Sequence, residues 1–202
     1  MTLFKANMEY INSDTTNILR QDFIENFLNI FCESIRENKD IVFVCIGTEK
    51  QDFDSFGPII GTLIEEQLKH IPNIRVYGKI GDNINALNGK EKIKEILQKE
   101  KNSIIIGVDA SASYSRKDIR NIRLSSGSIF PGAANNKNLG AVGDYSVTMC
   151  SCIVKATETG KYKIDFETAC KINHITEASF FVVESINDAY EYIIQSTTKN
   201  YI

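Results

Sequence analysis

The stretch VCIGTEKQDFDSFGP, residues 44–58, places the end of a strand, an acidic loop and the start of a helix next to one another. The loop carries three carboxylates in close succession: Glu49, Asp52 and Asp54. The continuous apolar run DIVFVCIG, residues 40–47, is typical of a strand that is covered on both faces. The sequence therefore predicts a buried strand that delivers carboxylates to its carboxyl end.

Strand and helix patterns alternate along most of the chain around this stretch. Apolar residues recur at helical spacing in four segments, residues 18–35, 57–70, 88–101 and 172–194. Two further apolar runs of strand length cover residues 73–80 and 102–110. Strands separated by helices indicate right-handed βαβ units and a mainly parallel sheet. We predict a single α/β domain built as a three-layer α/β/α sandwich.

The N-terminal segment and the second half of the chain give weaker patterns. Residues 118–130 and 145–154 alternate as strands do, and we expect the first of these to be antiparallel or at a sheet edge. Residues 1–16 look polar and frayed. We therefore assign residues 1–40 to an N-terminal amphipathic helix that packs on the domain, and residues 41–202 to the α/β/α domain itself.

Bulk properties exclude several classes of protein. The 202 residues include 23 basic and 26 acidic side chains, and a net charge of −3 argues for neither a nucleic-acid nor a membrane partner. No run of apolar residues is long enough to span a bilayer, and the first residues lack the pattern of a signal peptide. Five cysteines without a CxxC pair are typical of reduced thiols, so we expect a cytoplasmic protein. The oligomeric state is left open.

Two carboxylates meet if the strands follow the common order 2-1-3. Ligands of an open parallel sheet lie outside the carboxyl ends of its strands. Asp54 follows the first strand and Asp109 ends the third, so the two would line one crevice. Such a pair can hold one proton between them and activate water against an amide. The alternative is that either aspartate only caps a helix or a turn.

The chain lacks the sequence motifs of several other common activities. There is no GK[ST] phosphate loop, no GxGxxG and no GxSxG elbow. His70 and His174 lie at the ends of predicted helices and are interpreted as surface residues. Cys150 and Cys152 alternate on one strand and are interpreted as packing residues.

Four segments of the chain, in order, resemble the YyaC family of sporulation proteins. They are CIGTEKQDFDSFGPIIGTLI at 45–64, VYGKIGDNINALN at 76–88, IIIGVDASAS at 104–113 and GSIFPGAANNKNLGAVGDYSVT at 127–148. The resemblance covers residues 41–195. That family is similar to the germination protease of spores and, more distantly, to the hydrogenase maturation endopeptidases. The resemblance implies an α/β/α fold and endopeptidase activity on proteins during sporulation or germination.

The resemblance also implies site residues. The germination protease has essential aspartates in the loop before a "GP" helix and at the end of a "DA" strand, and the matching residues here are Asp54 in DSFGP and Asp109 in VDA. The segment 131–144 resembles a loop of the protease that begins with histidine, and Phe130 stands in place of that histidine. We expect the remainder of the substrate site to include Gly47, Pro131, Gly132 and Asp144. Asp52 is the alternative to Asp54 as the catalytic residue of the loop, and only the DSFGP context favours Asp54.

The metal expectation follows from the same comparison. Hydrogenase maturation enzymes hold nickel with two acidic residues and a histidine, and neither His70 nor His174 falls in a matching segment. We therefore expect no cofactor and no tightly bound nickel or zinc. The leading hypothesis is an aspartate-dependent endopeptidase acting on a protein or peptide substrate. The alternatives are a catalytically inactive peptide-binding relative and a protein that binds a small molecule or a metal.

Overall fold

The computed structural model describes residues 1–8, 13–132, 139–158, 160 and 162–199. Its seven strands are β1 (Thr2–Asn7), β2 (Asp40–Cys45), β3 (Ile74–Tyr77), β4 (Ser103–Ser113), β5 (Asn121–Ser126), β6 (Tyr145–Ala156) and β7 (Tyr162–Asp165). Its four α-helices are α1 (Ser13–Glu37), α2 (Phe56–Gln67), α3 (Gly89–Lys99) and α4 (Ile172–Lys199). Short 3-10 turns cover Asp52–Asp54 and Arg116–Asp118.

These strands form one sheet in the order β1-β5-β6-β4-β2-β3, with β7 paired to β6. Strands β3, β2, β4 and β6 run parallel to one another, while β5 is antiparallel to β6 and to β1. The first three predicted strands therefore lie in the order 2-1-3, the common order on which the meeting of Asp54 and Asp109 was made conditional. In the described ranges no helix is both long and apolar enough to cross a membrane.

Helices cover both faces of the sheet. Ile41, Phe43 and Cys45 of β2 lie in the larger core, on the side of α1, α2 and α4. Val42 and Val44 point to the other face and pack with Ile93 and Ile96 of α3. A strand buried on both faces has no polar alternation, which explains the continuous apolar run at this point of the sequence. The predicted three-layer α/β/α fold is confirmed.

The Gly-Pro pair after the acidic loop lets α2 begin close against the sheet. A Cβ atom on Gly57 would lie 2.2 Å from the carbonyl oxygen of Ile46, so a side chain has no room there. Pro58 is in the first turn of the helix, where a missing backbone N–H costs nothing. The sheet and α2 thus fix both ends of the loop that carries the acidic residues.

The N-terminal segment differs from the prediction. Residues 2–7, which look frayed in sequence, form β1 at the sheet edge, with Phe4 and Ala6 buried in the larger core. This strand pairs with β5, which is antiparallel as expected but lies inside the sheet because β1 covers it. The first 40 residues therefore contribute a strand as well as a helix.

Candidate active site

Asp54 and Asp109 both lie at the carboxyl edge of the parallel strands. The pairing of β2 with β4 ends at Cys45 and Val108, so Asp109 is the first residue of β4 beyond its neighbour. Asp54 belongs to the 3-10 turn that follows β2, and this turn contacts β4 and β6. The order of the strands thus brings together two residues that are far apart in sequence.

The three carboxylates of the acidic loop have different surroundings. Glu49 accepts a hydrogen bond from the side-chain amide of Asn83. Asp52 accepts one from the backbone N–H of Ile172 at 3.0 Å, at the first residue of α4. Among the residues that the structure describes, no side chain donates to the Asp54 carboxylate and no cation pairs with it. Asp52 therefore caps the N-terminus of α4, and Asp54 remains the candidate catalytic carboxylate of the loop.

Gly47 holds the backbone around Asp54 in place. Its φ of +136° lies in the region that favours glycine, and a Cβ atom there would lie 2.1 Å from the Asp54 carbonyl oxygen. That oxygen accepts the backbone N–H of Thr48 at 2.9 Å, and the Gly47 N–H donates to Ile84 at 2.8 Å. Gly47 was predicted to bind substrate. In the structure Gly47 is buried beneath the loop and its N–H donates to the Ile84 carbonyl, while its role in substrate binding stays a prediction.

Burial and mutual repulsion set the protonation of the pair. Burial raises the pKa of Asp54 to about 6, partly offset by a hydrogen bond from the Thr48 backbone. Burial raises the pKa of Asp109 well above its ordinary value, and the Asp54 charge raises it further. The Asp54 charge therefore favours the protonated form of Asp109. The arrangement therefore favours a single negative charge on the pair.

Stability should fall as pH rises through the range in which Asp54 ionises. Because the folded-state pKa lies above the unfolded one, the stabilising contribution is complete below about pH 4 and is lost as pH rises past about 6. At pH 7 the ionisation of Asp54 therefore lowers the free energy of unfolding by roughly 2–3 kcal/mol. We expect Asp54→Asn to raise the melting temperature at pH 7, and this gain to vanish at pH 4. Thermal unfolding monitored by circular dichroism at both pH values tests this, and an unchanged or lower melting temperature at pH 7 would contradict it.

A cleft of about 360 Å³ opens beside Asp109. Its polar lining includes Ser111 and Thr148, whose side chains neighbour Asp109 on the same surface. Its apolar lining includes Ile129, Phe130, Val154, Tyr114 and Tyr162, together with Gly132. Of the residues predicted to bind substrate, Gly132 lines this cleft, together with Phe130, which stands in place of the protease's histidine. The contributions of Tyr114 and Tyr162 were not predicted, because nothing in their local sequence points to the strand ends that meet here.

Asp144 and Pro131 do not line this cleft. The Asp144 carboxylate accepts the backbone N–H of Ile105 at 2.8 Å, and its own N–H donates to the Ile105 carbonyl at 2.7 Å. Ile105 lies four positions before Asp109, or about 13 Å along the strand. Asp144 therefore fixes the start of β6 against β4, and its role in substrate binding stays a prediction. Pro131 is buried, and its carbonyl accepts the N–H of Leu139.

Thiols and histidines do not offer another nucleophile at this place. Cys45, Cys150, Cys152 and Cys170 are buried, and burial raises the pKa of each thiol. For Cys152 the nearby Asp54 charge adds to that effect. The Arg120 guanidinium donates to Nε2 of His174, and His70 contacts the carbonyl of Gln67 on the surface. Within the described ranges no group of three His, Cys, Asp or Glu side chains is arranged to hold a metal ion.

Comparison with known proteins gives a family, a curated relative and two distantly similar solved structures. A family model described as "Protein of unknown function (DUF1256)" matches residues 15–198. The "Uncharacterized protein YyaC" of Bacillus subtilis (strain 168) is 35% identical over 120 residues, which span 58% of this chain and 57% of that relative. Two solved structures are distantly similar. The [NiFe] hydrogenase maturation protease HycI from Thermococcus kodakarensis KOD1 has a TM-score of 0.40 at 15% identity, over 76% of this chain and 99% of its own. A chain described as TcdA (CsdL) has a TM-score of 0.30 at 10% identity, over 92% and 99%.

Proposed function

The chain belongs to the DUF1256 family, and from that premise we propose that it is an aspartate-dependent endopeptidase. The observation that supports this most is the position of Asp54 and Asp109 at one edge of the sheet, where Asp109 lines an open cleft and feels the Asp54 charge. Both carboxyls have a raised pKa, and in the described part of the chain neither forms an ion pair with a basic side chain. Perturbed titratable groups next to a cleft are typical of catalytic sites.

The two carboxyls take different roles in this proposal. Asp54, ionised at neutral pH, accepts a proton from a water molecule whose oxygen attacks the carbonyl carbon of the peptide bond. Asp109, protonated, donates a hydrogen bond and then its proton to the carbonyl oxygen as negative charge develops there. When the tetrahedral intermediate collapses, the C–N bond breaks and the amine leaves with the proton that Asp54 had taken. The carboxyl group of the new C-terminus then returns to Asp109 the proton that Asp109 had donated to the carbonyl oxygen. Both aspartates thereby regain their initial states.

Repulsion between the two carboxylates favours the singly protonated pair that this mechanism requires. Two carboxylates that both ionise would repel each other in a partly buried site, so a single shared negative charge is the stable state near neutral pH. A base with a pKa of about 6 is ionised at neutral pH and still basic enough to take a proton from water. An ordinary surface aspartate, with a pKa of about 4, would be a much weaker base.

The setting of the activity is carried over from the sequence motifs. The resemblance of the DSFGP and VDA segments to the germination protease supports a role on proteins during sporulation or germination, and this part of the proposal rests on those motifs alone. The substrate is then a protein of the developing or germinating spore. An inactive, peptide-binding relative would keep the cleft and lack cleavage.

Incubation of the purified chain with an extract of sporulating cells tests the proposal. New protein N-termini are labelled and identified by mass spectrometry, with the Asp54→Asn variant processed in parallel. We expect a small set of N-termini that the wild type generates and the variant does not. If both proteins yield the same N-termini, the chain is not a protease under these conditions of assay and the binding alternative replaces the proposal.

A further inference from the structure

We propose that the free edge of β4, from Asp109 to Ser113, binds an extended polypeptide segment as an added strand. This inference rests on the proposed function, since it states how the segment to be cut is held. Beyond Val108 the strand has lost β2 as its neighbour, while β6 still pairs with its other side. The overhanging edge is roughly 17 Å long, enough for about five residues of an extended chain.

Backbone geometry shows which groups face the free edge. The carbonyl of Val108 accepts the N–H of Ile46 at 2.7 Å, so the peptide groups of Val108 face β2. Peptide groups of alternate residues in a strand face the same side, which turns the carbonyl of Ala110 and the N–H of Ala112 toward this edge. The pairing with β6 shifts register between Ser111 and Ala112, but the additional residue is Ser151 of β6, so the alternation along β4 is kept. Past Ile46 the chain turns away, because Gly47 donates to Ile84. Along the described residues no backbone group hydrogen-bonds to these two from that side.

The side chains leave this edge unprotected. Exposed strand edges in soluble proteins are usually blocked by lysine, proline or a bulge on the edge itself. Here the sequence is Ala110, Ser111, Ala112 and Ser113, and none of these side chains hinders the approach of another backbone. Ala112 is exposed and Ala110 half-buried. A peptide backbone offers donors and acceptors at the spacing this edge requires.

The cleft next to this edge fits an apolar side chain of the bound segment. The rings of Tyr114 and Tyr162 meet edge to face with centroids 5.6 Å apart, and Phe130 is exposed on the same cleft. Side chains of an added strand alternate between the two sheet faces, so every second residue points to the face that carries Asp109. We infer that the segment carries an aromatic or large aliphatic residue at the position that enters the cleft.

Peptide binding to the full-length Asp54→Asn variant tests the inference without cleavage. The probe is a fluorescein-labelled nonapeptide of alternating threonine and serine with a central phenylalanine, followed by fluorescence anisotropy. Ala112→Pro removes the edge N–H and leaves the peptide groups that pair with β6 in place, because proline is tolerated on strand edges. We expect Ala112→Pro to weaken binding about tenfold, through the loss of one hydrogen bond and a poorer fit. Ala112→Ser, the matched control that keeps the N–H, should stay within about twofold of the parent.

Modified peptides test the same point on the protein with its native edge. N-methylation of single peptide nitrogens should weaken binding at every second position only, because alternate N–H groups face the edge. A central aspartate in place of phenylalanine should weaken binding about tenfold, since a charge would have to enter an apolar cleft.

Three results would overturn the inference: no binding of the phenylalanine peptide, equal affinity for Ala112→Pro and Ala112→Ser, or an N-methylation pattern without a period of two. A change in oligomeric state with Ala112→Pro, seen by size-exclusion chromatography, would instead assign the edge to a second copy of the chain and also overturn it. The proposed function fails separately. Wild type that binds the peptide in this pattern and cleaves no protein contradicts the peptidase and leaves the binding edge standing.

Discussion

Asp54→Asn and Asp109→Asn are each expected to abolish proteolysis, lowering kcat/KM by about 10²–10⁴-fold or more. An asparagine at position 54 cannot take a proton from water. An asparagine at position 109 cannot deliver one to the carbonyl oxygen. Because the two groups act as one unit, the double variant should be scarcely worse than either single variant. The measurement is the rate of cleavage of a substrate identified from the spore extract, by quantified mass spectrometry.

Asp52→Asn is the matched control in the same loop. Asp52 accepts the N–H of Ile172 at the start of α4, so its replacement should cost stability of about 1 kcal/mol and leave cleavage close to that of the wild type. If Asp52→Asn abolished cleavage while Asp54→Asn did not, the roles assigned to the two residues would have to be exchanged.

Gly47→Ala is expected to have the largest effect on folding among the site variants. An alanine Cβ would lie 2.1 Å from the Asp54 carbonyl oxygen, and the φ of +136° would be strained for any side chain. The loop would have to move, breaking the hydrogen bond from Thr48 that holds Asp54. Strain and repacking together should cost about 3–5 kcal/mol. The melting temperature should then fall by roughly 6–20 °C.

Gly81→Ala separates the two causes of that loss. Gly81 also has a positive φ, of +84°, yet a Cβ atom there would have nothing within 4 Å. Its replacement should therefore cost only the conformational strain, about 1–2 kcal/mol. Cleavage should be lost with Gly47→Ala and kept with Gly81→Ala. Equal melting temperatures for the two variants would mean that Gly47 does not position the loop.

Much of the fold follows from local sequence pattern. The apolar run of β2 and the helical spacing after it predict a parallel αβ arrangement, because those patterns depend on burial by near neighbours in the chain. Strand β1 was missed for the opposite reason. Its buried Phe4 and Ala6 alternate over only a few residues, and its partner β5 lies more than a hundred residues away. Nothing local distinguishes such a segment from a frayed end.

The site also combines features that the sequence predicts with features that depend on distant contacts. Asp54 and Asp109 follow from the rule that strand ends meet at one edge of a parallel sheet. The distinction between Asp54 and Asp52 required the amide of Ile172, which is 120 positions from Asp52. The bond between Asp144 and the backbone of Ile105, 39 positions away, could not be predicted either. Long-range hydrogen bonds to backbone atoms leave no trace in sequence composition or spacing.

The most direct test of the carboxyl pair is a titration of the aspartate side chains by ¹³C NMR, which needs no substrate. The Asp54 carboxyl should titrate with a pKa of about 6, and the pKa of the Asp109 carboxyl should lie well above its ordinary value. In the Asp54→Asn variant the pKa of Asp109 should fall, because the neighbouring charge is gone, and should still exceed the ordinary value because the residue stays buried. Ordinary titration of both residues near pH 4, or an Asp109 pKa unchanged by Asp54→Asn, would contradict a shared acid–base site.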